Sequence, residues 1–395
     1  MIAYAFYESD MRVCRYATAL AERGDTVDVI ALRREGSPAF EVLQGVNVFR
    51  IQLRERNEKS LFDYLIRISR FLFASAFVLM KKHFSEPYSV VHIHSVPDFL
   101  VFAAVVPKLL GARVILDIHD ILPELFASKF GASTGSLLFR LLVLVERLSI
   151  RFSDHVIIAN HLWHKRLVAR SAPTDKCTTI LNYPDPQVFY PRPKAPSNGR
   201  FVITYPGTLN MHQGLDIAIR AVAKVASEIP EAEFHIYGEG PTKPFLLRIR
   251  DELGLSRQVI LHDFLPSQEI AEVMASSDLA VVPKRASSAF GNEATSTKIM
   301  EFMSLGVPVI VSRTKVDTFY HDESRVKFFE SENESDLASS ILLLWRNPEL
   351  RQRLAANASQ YIRHNNWQEK KREYLDLIDT LCSRVRGVQE HVDLR

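Results

Sequence analysis

Short apolar runs alternating with stretches of helical period constrain this chain more than any other feature. Runs at 2–7, 26–32, 46–51, 90–94, 113–118 and 155–159 are each about the length of a strand buried on both faces. Between them apolar residues recur at helical spacing, notably over 13–23, 61–82, 99–110 and 135–152. A second series begins at 201–205 and continues at 233–237, 259–261, 279–282 and 307–311. Strand and helix in turn predict parallel sheets with helices on both faces. Domains run to about 100–200 residues, so a chain of 395 is expected to hold two. The stretch 191–200, PRPKAPSNGR, is rich in proline, small and basic residues and reads as a linker. The expected fold class is therefore α/β, with two doubly wound, Rossmann-like domains facing across a cleft. Residues 1–190 make the first and 201–365 the second. The helical tail 366–395, with Trp367 in a polar stretch, could pack one turn back on the first domain.

Composition enters as exclusion. A formal net charge of +3, with 24% charged and 47% hydrophobic residues, describes an ordinary globular protein and gives no sign of a nucleic-acid binder. Cys14, Cys177 and Cys382 are far apart, which suits a reducing compartment and indicates neither a disulfide framework nor a zinc site. No basic segment precedes the first apolar run, so a cytoplasmic location is expected. The run 71–80 is about half a bilayer span, and Arg67, Arg70, Lys81 and Lys82 bracket it. Such a helix could lie at the cytoplasmic face of a membrane, as could 137–150 with Arg140, Arg147 and Arg151. The other reading is two core-facing helices with solvated basic residues.

The segment 291–312, GNEATSTKIMEFMSLGVPVIVS, is suited to holding an anion and a polyol together. Thr295 or Ser296 can cap a helix whose Ile299, Met300, Phe302 and Met303 face inward, and Gly306 followed by Pro308 stops it. The free amides of Ser296, Thr297 and Lys298 would then offer a diphosphate both the helix dipole and an ammonium. Glu301, one turn on, can accept hydrogen bonds from paired sugar hydroxyls, and Glu293 lies ahead of the helix. Against this stands an exposed Lys298–Glu301 ion pair of a few tenths of a kcal/mol with Glu293 solvated in a loop.

Ligands of open α/β sheets sit at the carboxyl ends of strands. Those positions carry 8–12, His94, His119 with Asp120, Asn160, Asn182, Gly207, Gly238, Gly240, Lys284 and Arg285. The glycines let backbone approach a ligand, and His119 could contact a transferred group or a phosphate. The first strand is followed by YESDMRV, where a dinucleotide-binding fold would carry GxGxxG. HExxH, P-loop and GxSxG patterns are also missing, which leaves electrostatic catalysis with no metal or cofactor expected.

With those residues in view, the chain resembles the GT-B glycosyltransferases of family 4 along nearly its whole length. The segment 291–312 is similar to that family's paired-glutamate motif, and FVITYPGTLNMHQGLDIAIRAV to its donor-phosphate loop. FHIYGEGP and VILHDFLPSQEIAEVMASSDLAVVP resemble the strands around its nucleotide. VVHIHSVPDFLVFAA and VILDIHDILPELFASKF resemble the branch that builds bacterial surface polysaccharides. The resemblance implies Glu301 at the ribose, Glu293 at the donor sugar, His119 at the sugar or its phosphate and Leu265 near the base, with retention at the anomeric carbon. It implies a hexosyl or N-acetylhexosaminyl transfer from a nucleoside diphosphate sugar, UDP-linked by preference, to a lipid-linked saccharide. The chain has Thr208 and Gln213 where many members have arginine and lysine, and Ser9, Asp10 and Met11 where a glycine pair is common. Lys298, Lys284 and Arg285 are then the cations expected to replace them. Asp10 and Arg12 are candidates for phosphate or acceptor contact, Arg12 being equally readable as a solvated helix residue. A nucleotide-sugar epimerase and a noncatalytic partner subunit of the same fold are the alternatives.

Overall fold

Hydrogen-bond pairing sorts the strands into two sheets. They are seen in a computed structural model that describes residues 1–54, 61–130, 133, 135–194 and 199–392. The first holds β1 (Ile2–Ala3), β2 (Asp28–Arg33), β3 (Phe40–Leu43), β4 (Val46–Leu53), β5 (Val90–His94), β6 (Arg113–Ile118), β7 (His155–Ile158) and β8 (Cys177–Thr179). Their order is β3-β4-β2-β1-β5-β6-β7-β8, parallel throughout except for the antiparallel β3–β4 edge. From β1 the chain builds outward through β2 and β4, then returns to β5 on the other side, so strand order reverses between β1 and β5. Residues such as Ile93, Val114, Ile115 and Leu116 are fully buried, as an all-apolar central strand requires.

β1 is shorter than the run 2–7 suggests. After Ala3 the backbone bends into a single turn, Tyr7–Ser9, and Asp10 caps the helix Met11–Arg23 by accepting from the amides of Arg12 and Val13. The expected helix over 99–110 divides into a 3-10 turn, Asp98–Ala104, and a short helix, Val105–Leu109.

The second sheet holds β9 (Phe201–Pro206), β10 (Ala232–Tyr237), β11 (Val259–His262), β12 (Leu279–Val282), β13 (Val309–Ser312) and β14 (Lys327–Phe329). All pairs are parallel in the order β11-β10-β9-β12-β13-β14, which reverses between β9 and β12. The Leu215–Val225 helix packs against Glu334–Arg346, and Thr297–Leu305 against Ser267–Ala275 and Pro348–Ile362.

The chain forms two compact units, Met1–Asn182 with Lys371–Arg395, and Tyr183–Lys370. It enters the second unit ahead of the proline-rich stretch expected to link them; of that stretch, residues 195–198 lie outside the described residues. The helical tail expected from 366 is the helix Trp367–Val392, and a separate helix, Pro348–Ile362, precedes it. Between them the Asn365 and Asn366 side chains donate to the carbonyls of Tyr361 and Ile362, groups that end the first helix. Trp367 is buried, and beyond it Tyr374, Ile378 and Leu381 enter the core of the first unit. Among the described residues no helix is long and apolar enough to cross a membrane.

Candidate active site

The carboxyl ends of β9 and β12 flank the point of strand reversal in the second unit. Gly207 follows β9 at φ 130°, a backbone conformation that L side chains rarely adopt. Its amide donates to Tyr237 O at 2.8 Å. Its carbonyl is so near the end of β10 that a Cβ on Gly238 would lie 2.0 Å from it. A Cβ on Gly207 itself would fall 2.3 Å from Cε of Lys298. Glycine at both positions thus lets two loops close together and leaves a bed across which Lys298 lies.

Lys298 belongs to the first turn of the helix Thr297–Leu305, which ends, as the sequence suggests, at a left-handed Gly306. Ser296 occupies the cap position in extended conformation, yet its hydroxyl caps nothing and is buried with no partner. The amides of Thr297 and Lys298 meet no acceptor among the described residues. The Lys298 ammonium lies 5.3 Å above the Tyr205 ring and forms no ion pair among the described residues. Burial lowers its pKa, partly opposed by Glu301 one turn further on. Oriented amides, a hydroxyl and an ammonium short of counter-charge are what a phosphate oxygen requires.

The other expected cations are placed differently. Lys284 is buried, pairing with Asp317 at 2.8 Å and donating to Ala294 O at 2.7 Å, so it fastens the loop ahead of the helix. Arg285 pairs with Asp216 at 2.5 Å and Glu332 at 2.9 Å. Their charges are already balanced, which corrects the expectation that both face a diphosphate. Glu293 ends a short helix, Ala289–Glu293, and is 5% exposed, so the reading of a solvated loop residue fails. It meets Lys315 Nζ at 2.8 Å. Gln213 ends the turn Met211–Gln213 and leaves its side-chain oxygen buried without a partner. Thr208 is exposed, and Leu265 follows β11 half-buried.

His212 was not singled out from the sequence. Its Nε2 lies 3.1 Å from Gln213 Nε2, and burial together with Lys298 and Lys284 lowers its pKa, so the ring is neutral near pH 7. The available signal was its place in the glycine-rich loop after β9, beside Gln213.

In the first unit, the wholly buried Asp117 is the next-to-last residue of β6, and His119 directly follows the strand. Arg12 grips both Asp117 oxygens at 2.8 Å and also donates to Ile180 O at 2.9 Å. Arg12 is therefore neither a solvated helix residue nor free for a phosphate. His119 Nε2 lies 3.1 Å and His94 Nδ1 3.2 Å from the same Asp117 oxygen, so each ring donates there. His119 Nδ1 is left 3.9 Å from Asp10. Burial opposes charge on His119, but Asp117 and Asp10 outweigh it and raise the pKa. Burial likewise opposes charge on Asp117, but Arg12 and His119 hold its carboxyl well below the usual range. His92, His94 and Asp117 each bring a potential metal-ligating atom within 4.8 Å of the others. A guanidinium already chelates the carboxylate, so Arg12 supplies the cation this cluster needs.

Residues 10–182 match the family described as glycosyl transferase 4-like domain, and residues 189–361 that described as glycosyl transferases group 1. The chain is similar to WcaL of Escherichia coli (strain K12), described as a colanic acid biosynthesis glycosyltransferase, at 27% identity over 40% of this chain and 39% of that protein. It is 24% identical to the gpi3 subunit of phosphatidylinositol N-acetylglucosaminyltransferase from Schizosaccharomyces pombe over 65% of this chain and 53% of that one. Matches span 39%, 40% and 53% of the length of the first three curated relatives. Among solved structures, Anabaena HepE in complex with UDP and glucose has a TM-score of 0.74 at 16% identity, covering 96% of this chain and 98% of that one. WaaG, a glycosyltransferase involved in lipopolysaccharide biosynthesis, has a TM-score of 0.70 at 15% identity, covering 95% and 98%. At such identities the likeness is one of fold.

Proposed function

Because the chain belongs, half by half, to these two glycosyltransferase families and carries the GT-B fold, we propose that it moves a glycosyl group from a nucleoside diphosphate sugar to a hydroxyl acceptor. The observation that carries the reading is the Lys298 ammonium laid across Gly207 without a counter-ion, beside two unbonded amides and the unpartnered Ser296 hydroxyl. This is where the diphosphate binds, with Glu301 accepting from the ribose hydroxyls and Leu265 near the base. UDP is the preferred nucleotide, a choice supported by HepE, whose structures hold UDP and UDP-glucose.

Transfer retains configuration. The bond between the anomeric carbon and the leaving phosphate oxygen breaks as charge collects on a diphosphate held by Lys298 and the helix start. The acceptor oxygen adds to the same face, and its proton passes to the departing phosphate. Glu293 orients the sugar and offsets its developing positive charge, His119 is the first unit's candidate for contact with a transferred group or a phosphate, and no cofactor or metal takes part. The transferred group is a hexosyl or N-acetylhexosaminyl unit. The acceptor is a lipid-linked saccharide of bacterial surface polysaccharide, in keeping with what WcaL and WaaG are described as doing. A second reading, a noncatalytic subunit, draws on the neutralised Lys284 and Arg285.

Calorimetric titration with a panel of nucleoside diphosphate sugars tests the binding step. One donor is expected to bind, and Lys298→Ala to weaken it about tenfold or more, the scale of one charge-assisted contact. Binding by none sinks the proposal. Turnover with acceptor but not with donor alone separates transfer from epimerisation, and proton NMR of the product's anomeric centre tests retention. Tight binding without turnover across acceptors favours the subunit.

A further inference from the structure

Of the 22 large apolar side chains left exposed among the described residues, 13 lie on three neighbouring segments of the first unit. These are the helices Leu61–Ser85 and Leu137–Phe152 and, packed against both, residues 98–110. The middle segment rests on β5 and β6. The Leu61–Ser85 helix is apolar on two sides: Ile68, Phe71 and Leu79 are buried, whereas Phe73 and Phe77, one turn apart, are 72% and 63% exposed. Along Leu137–Phe152, Leu137, Leu141, Leu144 and Leu148 form an exposed stripe at helical spacing. Between the helices Leu109 is 82% exposed. Scattered apolar residues on a surface need no cause, but a continuous array of this extent does.

Charge identifies the occupant. Arg70, Lys81 and Arg140 are exposed on the same two helices and form no ion pair among the described residues. Of the acids on the three segments, Asp98 and Glu146 are buried, Glu146 against Arg170, which leaves Asp63 in the first turn of Leu61–Ser85. An apolar face edged with cations complements acyl chains beneath anionic headgroups. A second copy meeting this face about a twofold axis would instead set like charges together.

We propose that this three-segment face docks the protein on an anionic lipid bilayer, its phenylalanine and leucine stripes entering the headgroup layer and its basic rim meeting lipid phosphates. The inference goes beyond the transfer reading and rests on exposed residues alone. Its test therefore needs no donor, and its failure is distinct from failure of that reading.

The full chain is floated with phosphatidylcholine vesicles with and without about 30% phosphatidylglycerol, at low and high salt. It is expected to rise with the anionic vesicles and to be released by salt. The quadruple substitution Phe73→Ser, Phe77→Ser, Leu141→Ser and Leu144→Ser is expected to lower partitioning about a hundredfold, as loss of that apolar area implies. Arg70→Glu with Arg140→Glu should lower it about tenfold or more at low salt. Far-ultraviolet dichroism and unchanged melting temperatures confirm that the variants fold, which is expected at exposed positions. Absence of flotation, or flotation undiminished in both variants, overturns the proposal. So does light scattering that finds a dimer which the quadruple variant converts to monomers while neither floats.

Discussion

Asp117 shows how much one buried carboxylate can govern. Arg12, His94 and His119 all direct N–H groups at it, and the sequence hides this because the Arg12–Asp117 pair spans 105 positions. Arg12→Ala strands a buried anion and is expected to cost about 3–5 kcal/mol in urea unfolding. For His119 the raised pKa means that stabilisation is complete below the ordinary histidine value and fades as pH climbs through the raised one. Asp117→Asn removes the main cause, so the alkaline limb of the rate profile should move to lower pH; an unmoved limb would show that this carboxylate does not tune the ring. Asp98 offers a stability test of opposite origin. Burial, aided by Glu146, raises its carboxyl to about 7 from 3.8. The unfolded chain ionises first, so this group makes stability fall as pH rises across that window. Asp98→Asn should therefore gain in melting temperature relative to wild type between pH 5 and pH 8. Lys298 and Ser296 were legible because a helix start is written locally, in a cap residue and the apolar spacing behind it. Lys284 and Arg285 were misread because their partners are remote, Asp216 and Glu332 lying 69 and 47 positions from Arg285.

At the scale of elements, short apolar runs located β5, β6 and β12 to the residue. The strands missed were β3, β8 and β14, three or four residues each at sheet edges, where partial exposure admits polar residues and erases the pattern. The helices Leu122–Phe130 and His161–Arg170 drew no reading as helices; only the strand-end residues ahead of them, His119 with Asp120 and Asn160, were singled out. The loops after β9 and β10 make a prediction of their own. A methyl on Gly238 meets a backbone carbonyl that no rotamer change can move, so Gly238→Ala should destabilise the second unit by about 1–3 kcal/mol. A methyl on Gly207 meets the flexible end of Lys298 instead, in addition to the strain of positive φ. Gly207→Ala should therefore weaken donor binding more than it lowers the melting temperature. Equal loss in both variants would count against a ligand role for this loop.

For the whole molecule, alternating periodicity was enough to indicate two parallel-sheet units, since a crossover every few dozen residues has few other solutions. It could not reveal that the first unit takes in residues beyond Lys371, because one helix face resembles another until its partners are known. If the nucleotide site lies wholly in the second unit, a bound donor stabilises that unit by RT ln(1 + [L]/Kd) and leaves the other unchanged. Calorimetry should then resolve two transitions, with saturating nucleotide raising one. Removal of residues 371–395 should lower the other, since Tyr374, Ile378 and Leu381 leave its core.

The burial of Tyr374 against Tyr16, with its hydroxyl 3.0 Å from His92, also bears on biogenesis. A ribosome releases the first eight strands long before it makes the helix that seals them. The portion synthesised earliest is thus completed last, and during elongation its open side is a natural client surface for chaperones.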